Sequence, residues 1–567
     1  MLPPDPSLPS IPLDVVDEIL QHLYPSGVFH SDSYADFLAG KEALARCACV
    51  CRAFQTPAVK VLWREQTLTN ACGAVLREFT FACVKGPLDA DDEDGDEGDD
   101  DDNEDWPVGI DPDDHLYTYN YLPGPISPEE WSRFKYYAQF IRVLRYTLDE
   151  KVDSSVLFYL HQHTHGEPLF PNLRKLEWCQ AVPDLVSVIS PTIQILCLRE
   201  ESGEEENYCQ PHELAYRTRR HALKTLLPGI LGRMPDLQEL EIRPLHHEGF
   251  WLQLASLPGR RFATQSIRVL HISESLDVLL SGALPAISTS QNLHELRLDV
   301  LSYEDDAYPP ATRREWSKAS IRTFVELRRL RIEGSVSETA TLVDVIIAPE
   351  LEDIELHRMA HSDSESSGIP ALLRASLHTL GTRNAGSLRR VKLVTYGSAS
   401  DMAFSELIRP LLPLRHLDEL DIDDPAARVI DSSAPTMLAA WQMLEKLSLA
   451  VMVLSPERLQ GIVRNCPRLK RLKVLRLSKD FPLIPPVTSN VSDAPDSRGI
   501  EHGLEELCVV SPFKVTEPAG ITAIARFLNK LFPRLRPERC VDTTHTTDGD
   551  GDWDRVLQEM ANLRLSG

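Results

Sequence analysis

Twelve short segments of this 567-residue chain repeat one pattern, hydrophobic at i, i+3 and i+5. They read LRKLEW, IQILCL, LQELEI, IRVLHI, LHELRL, LRRLRI, LEDIEL, LRRVKL, LDELDI, LEKLSL, LKRLKV and LEELCV. Their first positions run from Leu173 to Leu504, a mean spacing of about 30 residues, with single steps from 20 to 44. A strand this short cannot bury its apolar side alone, so the copies must stack on one another. The connecting segments read as helices. In SPERLQGIVRNCPRL, Ser455 can cap a helix with Pro456 at its first position, Leu459, Ile462, Val463 and Cys466 form its apolar side, and Pro467 follows its end. Strand and helix therefore alternate, which predicts an α/β chain.

A period near 30 with one short strand per unit is the signature of leucine-rich repeats, with parallel strands on a concave face and helices outside, as in a horseshoe solenoid. No copy carries Asn or Cys eight residues after its first position, so the array should be irregular and its backbone must find other partners. Side chains at i+2, i+4 and i+6 project from the concave face. They are Arg329 and Arg331, Asp353 and Glu355, Arg390 and Lys392, Glu419, Asp421 and Asp423, Lys446, then Arg471 and Lys473. Alternating sign sets opposite charges side by side on neighbouring strands, either as a self-neutralising ladder or as a face whose partners a ligand can exchange.

The N-terminus follows another rule. In IPLDVVDEILQHL, Val15, Val16, Ile19, Leu20 and Leu23 make one stripe of a helix, while Asp14, Asp17, Glu18, Gln21 and His22 lie opposite. Pro12 and Asp14 suit its first turn. A second helical pattern, KEALARCACVCRAF, puts Ala43, Leu44, Cys47, Val50, Cys51 and Phe54 on one side, and AVKVLWRE carries Ala58, Val59, Leu62 and Trp63. Three short helices make a small core and gain by docking on something. On Ile11, Pro12, Asp14, Val15, Val16, Ile19, Leu20, Leu23, Leu44, Val50, Cys51, Phe54, Leu62 and Trp63, residues 8–66 resemble an F-box, although the gap from Pro25 to Lys41 is longer than that family usually has. The segment WSRFKYYAQFIRVLRY, a helix running into a strand, is similar to one that follows the F-box in many fungal F-box proteins. The resemblance implies docking on the Skp adaptor of an SCF-type cullin-RING ubiquitin ligase, with the repeats holding a protein target.

The implied order is an F-box over 8–66, a linker over 67–130, a repeat domain over 131–535 and a tail with a short helix over 536–567. Within the linker, residues 89–105 hold 13 acidic side chains out of 17, half of the chain's net charge of −26. Such a run repels itself and is expected to be a disordered loop. The rest of the chain is still too acidic for a general nucleic-acid binder. No leader pattern and no apolar run of about 20 residues is present, so a cytoplasmic or nuclear protein without a membrane anchor is expected. The 11 cysteines fit reduced thiols.

Catalytic and metal patterns are near misses. HELAY at His212 has Tyr216 where a zinc-protease helix needs its second His, and Gly40-Lys41 lacks the rest of a phosphate loop. Cys47, Cys49 and Cys51 point apart on a helix, and His161, His163 and His165 lack a fourth ligand. In DGDGDWDRVLQE, Asp548, Asp550, Asp552 and Glu559 stand at calcium-loop positions, but Trp553 replaces the required Gly and Arg555 the buried aliphatic. The reading is an exposed turn before a short helix. The chain is thus expected to be a non-catalytic substrate receptor without cofactor or metal. Two other readings stay open: a repeat scaffold whose helices merely cap the next domain, burying Val16 and Leu20 inward, and a repeat-built GTPase activator relying on Arg217, Arg219 and Arg220.

Overall fold

The structure is a computed structural model. It describes residues 12–24, 34–85, 116–147, 152–179, 184–199, 225–227, 229–243, 266–288, 290–300, 321–359, 369–396, 404–423, 437–478, 480–481, 502–510, 518–540 and 552–565. Ile11, the acidic run 89–105, His212, Arg217, Arg219, Arg220, Asp548 and Asp550 lie outside these residues. The chain is α/β and divides into two compact units, Met1–Phe250 with Pro258–Ile267, and Trp251–Leu257 with Arg268–Gly567.

The first unit opens with α1 (Leu13–His22), α2 (Tyr34–Val50) and α3 (Arg52–Leu62), and continues through β1 (Glu65–Thr67) into α4 (Leu68–Gly73). Strands β2 (Thr80–Lys85) and β3 (Leu116–Tyr121) pair antiparallel across the acidic run, so the expected linker carries ordered structure at both ends. Helix α5 (Pro128–Ala138) follows a capping box, with Ser127 and Glu130 each bonded to the other's backbone N–H. Then come β4 (Val143–Tyr146), β5 (Lys175–Trp178), β6 (Ile195–Leu198) and β7 (Glu239–Ile242), which join β1 in parallel in the order β1-β4-β5-β6-β7.

Among the described residues the second unit carries nine parallel strands in one sheet: β8 (Val269–Glu274), β9 (Glu295–Val300), β11 (Arg329–Gly334), β13 (Asp353–Met359), β14 (Arg390–Tyr396), β15 (Glu419–Asp423), β16 (Lys446–Leu454), β17 (Arg471–Leu477) and β18 (Glu506–Val509). A separate small parallel pair is formed by β10 (Arg322–Thr323) and β12 (Ile346–Ile347). All twelve repeated segments are strands, each starting two residues after the first hydrophobic position. In LRRLRI, Leu327, Leu330 and Ile332 are buried, while Arg329 and Arg331 face outward. The helix Pro456–Asn465 forms as its sequence predicts, with Ser455 accepting from the Arg458 N–H and Leu459, Ile462 and Val463 buried.

Neighbouring repeats are tied together in two ways. One carbonyl per repeat accepts two N–H groups from the next: the Glu352 carbonyl takes Arg389 and Arg390, and the Arg389 carbonyl takes Asp418 and Glu419. Buried polar side chains before the strands add bonds to neighbouring turns. Asn384 Nδ2 donates to the Ala348 carbonyl at 2.7 Å, Trp441 Nε1 to Leu411 at 3.3 Å, and His502 Nε2 to Cys466 at 2.9 Å.

His502 also accepts the Leu504 N–H at Nδ1, which fixes a neutral imidazole, and burial lowers its pKa from the ordinary 6.5. The unfolded chain therefore binds this proton more readily than the native one, so the second unit should lose stability as pH falls below about 6.5. Urea titrations from pH 8 to 5 are expected to show that loss in the wild type and a smaller one in His502→Gln.

Close packing decides one glycine. Gly381 sits in the helix Ile369–Arg383, where an added Cβ would stand 2.2 Å from the Pro410 carbonyl oxygen. Alanine normally gains up to about 1 kcal/mol over glycine inside a helix, but here backbone must move. Gly381→Ala is expected to destabilise by about 1–3 kcal/mol in denaturant melts.

The helix expected in the C-terminal segment forms. The helix Asp552–Leu565 is 14 residues long and packs on the helix Pro518–Leu531, with Trp553, Val556, Leu557 and Met560 buried. Trp553, which spoils the calcium pattern, donates from Nε1 to the Cys540 carbonyl at 3.2 Å. Nine described cysteines are free thiols. Among the described residues no helix is long and apolar enough to cross a membrane.

Candidate functional site

The three N-terminal helices divide the predicted apolar set. Val16 and Leu20 of α1 are buried with Leu44 of α2 and Ala58 and Val61 of α3, and Phe54 and Leu62 pack against that cluster. Successive residues of a helix point about 100° apart, so the same stripe shows a second face. There Val15 is 43%, Ile19 52% and Leu23 38% exposed, and Val50, at the end of α2, is 71% exposed. Pro12, just before α1, and Cys51, just before α3, are exposed as well. Val16, Leu20 and Leu44 are therefore corrected from partner contacts to internal core: they hold the helices together and leave Val15, Ile19, Leu23 and Val50 for anything outside.

Trp63 also turns inward. It occupies the position two residues before β1, which the first hydrophobic residue of every later repeat occupies, and its ring stacks on Tyr137 of α5 at 4.3 Å. The Arg64 carbonyl then accepts the N–H groups of Arg142 and Val143, as the shared carbonyl does in later repeats. The helices thus run directly into the first strand. Tyr24 donates from its hydroxyl to Glu65 Oε2 at 3.1 Å, and burial, reinforced by that carboxylate, raises the phenol pKa.

On the open face of the second unit the predicted charges meet in two rows. One runs Glu295, Arg329, Asp353, Arg390, Glu419, Lys446, Arg471, Glu506, and the other Arg297, Arg331, Glu355, Lys392, Asp421, Ser448, Lys473. Arg390 contacts Asp353 at 2.9 Å, Lys392 contacts Glu355 at 4.0 Å and Lys446 contacts Glu419 at 2.9 Å. These half-exposed pairs are worth a few tenths to about 1 kcal/mol each. Burial raises the Asp353 pKa against the pull of Arg390, whereas the hydrogen bond with His357 lowers that of Glu355. Burial also raises Asp421 despite its bond with Ser448, and Asp423, at the strand end, is exposed. Strict alternation fails between Lys446 and Arg471, which are neighbours of like sign; Arg471 turns to Glu506 at 2.9 Å instead.

No family model matches the chain, and no curated protein does.

Sequence reasoning missed Glu295 and Arg297, although LHELRL holds them at the offsets that found Arg329 and Arg331. Next to them, His271 Nε2 and Asp299 Oδ2 lie 2.6 Å apart and Ser273 donates to the same oxygen at 3.1 Å. Burial would raise the Asp299 pKa, but these two bonds hold it below the ordinary value. His161, His163 and His165 sit at the end of α6 (Ser154–Gln162), where His163 stacks on Trp131. Among the described residues no cluster of three His, Cys, Asp or Glu side chains could hold a metal ion.

Proposed function

We propose that the chain is the substrate-recognition subunit of an SCF-type cullin-RING ubiquitin ligase, acting in the cytoplasm or nucleus. The helices α1–α3 act as an F-box that docks on a Skp adaptor, and a leucine-rich-repeat array holds the protein to be modified. The observation that carries this reading is the divided stripe of α1, because a module with its own core in Val16 and Leu20 can still offer Val15, Ile19 and Leu23. Exposed apolar side chains clustered on one helix face suit a protein interface. In this role the chain supplies proximity and orientation, and another subunit performs the transfer. The test is capture of purified Skp adaptor by the full chain, wild type beside Val15→Asp with Ile19→Asp, each checked by circular dichroism. Failure of the wild type to capture the adaptor sinks the proposal.

The burial of Val16 and Leu20 and the stack of Trp63 on Tyr137 favour a second reading, in which the helices cap a repeat scaffold unconnected to ubiquitin. It predicts that the adaptor is ignored by every variant.

A further inference from the structure

The paired rows of the open face break where β9 meets β11. In the row through Arg331, the register neighbour on β9 is Arg297, and the next, on β8, is His271. Two guanidinium groups thus stand on adjacent strands about 4.8 Å apart, an arrangement that repels. Asp299 and Glu355 on the flanking strands attract Arg331, but the short hydrogen bonds of both arginines stay on their own strands. Arg297 donates to Glu295 at 2.7 Å and Arg331 to Glu333 at 2.9 Å, each using a carboxylate two residues away on its own strand. The Arg331 Nε is buried and, among the described residues, nothing accepts its hydrogen. Arg329 reaches the same Glu295 at 3.4 Å.

Glu295, Arg297, Arg329 and Arg331 line a cavity of about 160 Å³, together with Leu330, Asp353 and Glu355. The two carboxylates already have partners in Arg390 and in His357 with Lys392. Small-molecule sites usually measure about 300–1,000 Å³, so this one suits a single side-chain head group. A guanidinium presents its donors as a fork that matches a carboxylate or phosphate, and a buried donor without an acceptor is costly.

The geometry points to a pocket for one anionic side chain, a carboxylate or a phosphoester, carried by the peptide that this face holds. This rests on the proposed role of the face in binding a target. The entering anion takes Arg331 from Glu333, reaches the free Nε and separates the charges of Arg331 and Arg297. A neutral amide can accept from that Nε, but it brings no charge to compete with Glu333 or to screen the two guanidinium groups, so the pocket selects as well as binds.

The test uses the full chain and three fluorescent peptide pools with the same randomised flanks and a central phosphoserine, glutamate or glutamine, read by anisotropy. At least one anionic pool should bind about 10-fold or more tightly than the glutamine pool, as expected for a charge-assisted bond of about 1.5–3 kcal/mol. The tighter of the two tells phosphoester from carboxylate. Arg331→Gln should abolish the preference, and Arg331→Lys should restore it only in part, because lysine lacks the fork. Equal binding of all pools, no binding of any, or a preference that survives Arg331→Gln overturns the pocket. Adaptor capture, measured on the same samples, separates the two ideas: a wild type that prefers an anionic pool but captures no adaptor keeps the pocket and loses the ligase.

Discussion

Val15→Asp with Ile19→Asp should weaken adaptor capture about 100-fold or more while leaving the circular dichroism spectrum unchanged. Hot-spot residues, which cluster at the centre of a contact, cost about 2 kcal/mol or more when truncated, and a carboxylate forced against an apolar partner costs more. Both side chains are about half exposed in the chain itself, so water solvates the new charges before docking. One residue along the same helix the outcome inverts. Val16 and Leu20 lie in the cluster with Leu44, Ala58 and Val61, and Val16→Asp with Leu20→Asp buries two carboxylates without partners. That variant should lose helical signal and protease resistance in the N-terminal module, so its loss of capture reports unfolding. The contrast between the two pairs is the measurement. Capture that survives the exposed pair would refute docking through this face of α1.

What could be read in advance followed the range over which each signal acts. The strands were legible because hydrophobic residues at i, i+3 and i+5 are a local pattern, and twelve copies fixed both strand starts and the outward charges. β1 was not, because WREQTL carries Gln66 at the fourth position and only Trp63 and Leu68 keep the rule. The pairing of β2 with β3 depends on chain from either side of the acidic run, which no local pattern reveals. The α1 stripe was visible in full, yet which half is covered depends on Ala58 and Val61, about 40 residues later. The row break at Arg297 and Arg331 lay within reach of the same offsets. Its meaning required the register of β9 against β11, since only that makes two arginines neighbours rather than members of separate pairs.

Trp441→Ala is expected to be the most damaging single truncation in the second unit, at about 3–5 kcal/mol. The indole is fully buried three residues before the first hydrophobic position of LEKLSL, where a later repeat has Cys466, so it fills the core and bonds backwards to Leu411. Removing it leaves a large cavity and frees a buried carbonyl acceptor at once. Trp441→Phe separates the two effects, because it keeps most of the volume and loses the donor, with an expected cost of about 1–3 kcal/mol. In a stack of repeats each unit is stabilised mainly by its neighbours, so the damage should spread locally before it becomes global. Hydrogen exchange read by mass spectrometry should show β15 and β16 losing protection first, β13 and β18 later, and β4 to β6 of the first unit least. Uniform loss across both units would mean that the chain opens as one cooperative block, and that Trp441 joins more than its two adjacent repeats.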